Sequence, residues 1–111
     1  MHILAVERDL PLPVHRNLHD LLRDDAAVIW DLQKRSVIRA IWLTRADRRA
    51  VVMLECPDAA RAREHLATLP LVRAELVDFT LLELCPYDGF ERLFAGAHEP
   101  AAPPDSGPPE Y

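Results

Sequence analysis

Glycine is scarce in this chain, with three among 111 residues. A Gly-rich loop that lays backbone N–H groups against phosphates needs more than that, so nucleotide cofactors are disfavoured and none is expected. Lysine is scarcer: Lys34 stands alone beside twelve arginines, and 13 basic against 18 acidic residues give a formal net charge of −5. The arginines alternate with acids along most of the chain, so no positive face forms for a phosphate backbone, which argues against a nucleic-acid partner. No apolar run approaches the roughly 18 residues of a membrane span. The opening, Met1 to Arg8, meets charge too soon for a signal peptide. Cysteine is limited to Cys56 and Cys85, each directly before a proline and without CxxC spacing. Two isolated thiols in such a chain read as reduced, buried small apolar residues, and the compartment as cytoplasm. The Arg, Ala and Pro bias fits a GC-rich bacterial genome.

What remains is an ordinary soluble composition, half hydrophobic and 28% charged, at the length of one domain. His2 to Arg8 alternates as a strand, and two prolines at 11 and 13 make the next stretch a loop. Val14 to about Ser36 is the longest helix, its Leu18, Leu21, Leu22, Ile29 and Leu32 recurring at three- and four-residue spacing. Val37 to Thr44 and Ala50 to Cys56 form a hairpin across a charged turn. Pro57 opens a second helix that Pro70 stops near Thr68, and a last strand runs from Leu76 to Leu84. That strand is apolar on both faces, with Val77, Phe79 and Leu81 on one and Leu76, Leu82 and Leu84 on the other. Two helices cover one face of so small a sheet, and a second copy of the chain is the expected cover for the other. Tyr87 to Phe94 is a turn and a short amphipathic coda. Residues 96–111 are Pro-, Ala- and Gly-rich and are expected to be disordered and dispensable for folding, leaving 1–95 as the domain.

The order βαββαβ is that of a ferredoxin-like α+β sandwich. The run Leu69-Pro70-Leu71-Val72, then Leu76-Val77-Asp78-Phe79, then Leu84-Cys85-Pro86, resembles the last third of the bacterial muconolactone isomerase family. The segments Leu22-Arg23-Asp24-Asp25 through Leu32-Gln33 and the strand with Arg39 and Trp42 are similar as well. The resemblance implies a dimeric α+β barrel: two four-stranded sheets face to face, helices outside, with a cleft in each protomer between helices and sheet and some members assembling further into higher homo-oligomers. It implies a cofactor-free isomerase acting on a small unsaturated lactone. The fold itself is shared by isomerases, cofactor-free monooxygenases, dehydratases and domains without known chemistry.

Asp25 is the candidate catalytic residue. On a helical projection it falls about 20° from Leu18, inside the apolar stripe. A carboxylate there is desolvated, its pKa rises, and it becomes suited to moving protons near neutral pH. The alternative is a structural acid that pairs with an arginine or caps a buried donor. His15, about 60° from Leu18, is a second catalytic candidate or a structural histidine at the helix start. His15 and His19 have the spacing of a helical ligand pair, but no third ligand is suggested, so no metal is expected. Arg39, placed by strand alternation with Ile41 and Leu43, wants an anion: Asp25, Glu83 or a substrate carboxylate. Trp30, Trp42 and Tyr87 either line a substrate cleft or pack in the core or dimer contact. Three functions follow: a cofactor-free isomerase moving a proton on a small unsaturated lactone or related acid; a non-catalytic dimeric small-molecule-binding or accessory module; and a cofactor-free monooxygenase.

Overall fold

The computed structural model describes residues 1–11 and 17–95, so Val14, His15 and the segment 96–111 lie outside the described residues. Apolar residues at every second position place β1 (His2–Asp9), β2 (Ile38–Leu43), β3 (Ala50–Glu55) and β4 (Val77–Glu83) in one antiparallel sheet of order β2-β3-β1-β4. The helices interleave as the pattern requires: α1 (Leu18–Lys34), α2 (Ala59–Leu66), a four-residue α3 (Pro70–Arg73), and α4 (Glu91–Ala95) beyond the sheet. This is the ferredoxin-like α+β fold.

One face of the sheet carries the core. Ile3 and Ala5 of β1, Val52 and Leu54 of β3, and Phe79 of β4 are buried against Leu32 of α1 and Ala62 and Leu66 of α2. The opposite face presents Leu4 across from Met53 and Leu82, and Trp42 across from Val51, all half-buried or exposed.

Pro70 does more than stop a helix. α2 ends at Leu66, and Pro70, whose fixed φ suits a first helical position, opens α3. Pro57 stands just ahead of α2, whose N-cap is Asp58: its side chain accepts the Arg61 N–H at 2.8 Å. Both α1 and α3 close with one motif despite the shortage of glycine. Val37 N–H reaches Leu32 C=O and Ser36 N–H reaches Gln33 C=O; Leu76 N–H reaches Leu71 C=O and Glu75 N–H reaches Val72 C=O. These are Schellman closures, and Ser36 (φ 63°) and Glu75 (φ 59°) take the left-handed position that glycine usually fills.

The β2–β3 register shifts between Ile38 and Ala40. Ile38 pairs with Leu54 and Ile41 with Val52, so Ile38, Ile41 and Leu43 share the inner face and Arg39 is the extra residue of a bulge. Cys56 is buried, as expected, but Cys85 is exposed, because the strand ends at Glu83 and the chain has left the core. Among the described residues no helix is long and apolar enough to cross a membrane.

Candidate active site

Between α1, α3 and the inner face of the sheet lies a cleft of about 530 Å³. Its walls are almost entirely aliphatic: Leu18, Leu22 and Ile29 from α1, Leu69, Leu71 and Leu76 around α3, and Ile41, Val52 and Phe79 from the sheet. Four charged residues interrupt them: Asp25, Glu7, Asp9 and Arg48.

Asp25 faces this cleft because its position in α1 repeats the apolar stripe, and it is 7% exposed. Its Oδ1 accepts the Leu71 N–H at 3.1 Å, a donor that α3 leaves unpaired in its first turn. Among the described residues this is its only hydrogen bond, and it has no ion pair. Burial drives its pKa above the ordinary carboxylate range, and the Leu71 N–H offsets part of that rise. The carboxylate thus ties α1 to α3 and keeps a raised proton affinity in an apolar wall.

Glu7 is the cleft carboxylate that the sequence reading passes over. It follows Ile3 and Ala5 on the inner face of β1, and its Oε1 accepts the Ala50 N–H at 3.2 Å. Burial raises its pKa most; the Ala50 N–H lowers it, and the negative charges of Asp9 and Asp25 raise it further. Glu7 thus feels the charge of Asp25, and both carboxylates line the cleft. The signal was period-two alternation, which puts residue 7 on the face of residues 3 and 5.

The remaining candidates are not brought to this cleft. Arg39 is exposed, and its Nε donates to the Ser36 carbonyl at 2.8 Å. The bulge turns it away from Ile41 and Leu43, so it meets neither Asp25 nor Glu83. Trp30 is exposed on α1, with Lys34 Nζ 6.0 Å from its ring centroid. Trp42 lies on the open face of the sheet, because β2 alternates about Ile41 and Leu43. Tyr87 follows β4, is 70% exposed, and stacks edge-on against Phe90 at 4.9 Å. His15 lies outside the described residues. Among the described residues no group of three or more His, Cys, Asp or Glu could hold a metal ion.

No protein-family model matches the chain, and no curated protein matches it. Solved structures do. Muconolactone isomerase superposes with a TM-score of 0.67 at 20% sequence identity, covering 79% of this chain and 92% of the isomerase. A 5-chloro-2-hydroxyhydroquinone dehydrochlorinase from Burkholderia phenoliruptrix AC1100, in complex with 2,5-dihydroxybenzoquinone, superposes at 0.58 and 14% identity over 80% of this chain and 98% of that one. An antibiotic biosynthesis monooxygenase gives 0.47 at 19% identity over 78% and 100%. The chain has the fold of the first two.

Proposed function

We propose that this chain is a small cofactor-free isomerase-like enzyme of the cytoplasm, working as a homodimer, that moves a proton on a small unsaturated lactone or related acid bound in the helix–sheet cleft. The observation that carries the reading is Asp25: a carboxylate in an aliphatic wall, its proton affinity raised by burial, with Glu7 in the same cleft. The exposed free thiol of Cys85 fits a reducing compartment.

The reaction needs no oxidant or reductant. Ionised Asp25 takes a proton from the saturated ring carbon beside the conjugated carbonyl system. The C–H electron pair passes into the ring as a dienolate, and the double bond moves. The acid formed at Asp25, or the neighbouring Glu7, returns a proton to the far carbon of the same system. Proton and charge balance, and the product is the double-bond isomer. A cleft of this volume has room for a five- or six-membered ring against its aliphatic walls, beside the two carboxylates.

The test follows muconolactone in D2O by proton NMR. The wild type should exchange carbon-bound hydrogen for deuterium and shift the double bond, and Asp25→Asn should slow both by about 10²–10⁴-fold. Asn keeps an oxygen to accept the Leu71 N–H, so its folding is preserved while the base is removed. A second reading has its own support. The Asp25–Leu71 bond is the structural role that a binding module would give this acid, and a wild type that binds ring compounds without exchanging any hydrogen would favour it.

A further inference from the structure

The cleft holds three carboxylates and one cation, and the cation is Arg48. Two other charges of its turn, Asp47 and Arg49, are committed, and the turn's remaining cation, Arg45, does not line the cleft. Arg49 pairs with Asp47 at 2.6 Å and Asp9 at 3.7 Å, and the Asp47 carboxylate also accepts the Thr44 hydroxyl. Arg48 has no ion pair among the described residues, and its side chain is exposed. Yet its backbone is firmly held: Arg48 N–H donates to Thr44 C=O at 2.9 Å, and Thr44 N–H to Arg49 C=O at 2.8 Å. The Arg49 N–H closes the turn on Thr44 Oγ1 at 2.8 Å. Arg48 also sits at φ 53°, a left-handed conformation that costs a side-chain-bearing residue energy and that recurs where function sets the backbone.

We propose that Arg48 is the specificity residue of this cleft and takes the carboxylate of an anionic substrate at the β2–β3 turn. This deepens the proton-transfer reading and rests on it for the identity of the ring. An aliphatic cleft flanked by Glu7, Asp9 and Asp25 repels an anion unless a fixed cation receives it, and guanidinium matches carboxylate with two parallel hydrogen bonds. Arg48 would hold that carboxylate and leave the ring to the apolar walls, beside Asp25.

The experiment measures binding separately from turnover. Muconolactone and its methyl ester are titrated against the full chain, and the Ile and Leu methyl resonances of the cleft are followed by carbon-13 NMR. Wild type should bind the acid about tenfold or more tightly than the ester, the effect of a charge-assisted hydrogen bond. Arg48→Gln should erase that preference with its melting temperature unchanged, and Arg48→Lys should keep part of it. An acid preference that survives Arg48→Gln overturns the proposal. So does a wild type with no acid preference, including one that binds neither compound. Deuterium exchange in the same samples reports on the other reading. An Arg48-dependent acid preference without exchange would leave the anchor standing and refute proton transfer.

Discussion

Asp25 has two tasks that a single substitution separates. Its Oδ1 holds the Leu71 N–H, and its proton affinity is raised by burial. Glu7 is raised by the same cause and by Asp25 itself. A carboxyl group raised in the folded state binds its proton more tightly there than in the unfolded chain. The stability it contributes is full below the ordinary carboxylate pKa, about 4, and is lost as pH rises through the folded value. Asp47, lowered by hydrogen bonds from Thr44 and Arg49, and Glu55, lowered by the N-terminal ammonium, have the opposite sign. Their stabilisation is present above about 4 and fades as pH falls. In the wild type these slopes oppose one another, but the difference between wild type and Asp25→Asn keeps only that of Asp25 and its effect on Glu7, which have the same sign. Thermal scans from pH 4 to 8 should show the variant gaining on the wild type as pH rises, and then a constant gap. A gap that does not change with pH would mean that Asp25 titrates like a surface acid. In the same variant the Glu7 carboxyl resonance should titrate at lower pH, since a like charge has gone.

This residue-scale picture was half legible in the sequence. Helical periodicity alone carries Asp25 into the apolar stripe, whatever the tertiary structure. Glu7 needed only the alternation of β1, but a charge near a strand end reads as solvated unless the turn that buries it is known. Arg39 could not be read correctly. Strict alternation puts it inward, and only the bulge, a backbone event without a residue signature, turns it out and admits Ile38.

At the scale of elements, the helix ends are where this chain departs from local preference. Schellman closures favour glycine because the left-handed position brings a Cβ close to the following carbonyl. Ser36 and Glu75 occupy that position in α1 and α3. Ser36→Gly and Glu75→Gly should each stabilise the fold by about 0.5–1 kcal/mol, the relieved strain less the added freedom of glycine in the unfolded chain. Chemical denaturation with an unchanged slope would measure it. A loss of stability at Ser36 would mean that its side chain contributes more than its conformation costs. The absence of glycine also explains the boundaries. Without a stop signal near Ser36, the periodic pattern carries the first helix past its true end at Lys34. Pro70 reads in the sequence as a terminator, but it is also the first helical residue of α3, and that role places Leu71 N–H on Asp25.

The whole molecule is defined by the face that the helices leave open. Leu4, Val6, Val51 and Met53 sit at the middle of that face with Trp42, 54% exposed, and Leu82, 49% exposed. The Arg8–Asp78 ion pair, 2.9 Å apart on the same face, gives it a polar rim. An apolar centre with a charged border is how an interface is built, and a monomer seldom leaves so many large side chains contiguous and wet. In the proposed homodimer a second copy would supply the matching surface, since an isologous contact sets each residue against its own complement across a two-fold axis. Sheets packed this way interleave side chains at about 10 Å. Trp42, on that face and not in the cleft lining, would be an anchor of the proposed contact. Light scattering should give a dimer or larger assembly at micromolar concentration. Trp42→Asp should weaken association by about 30-fold or more, the scale of a lost interface anchor. Because Trp42 does not line the cleft, the monomer so produced should still show the Arg48-dependent preference for acid over ester. A wild type that scatters as a monomer at every concentration would mean that the open face serves another partner. A variant that dissociates and loses the cleft together would mean that the second sheet holds the first in shape.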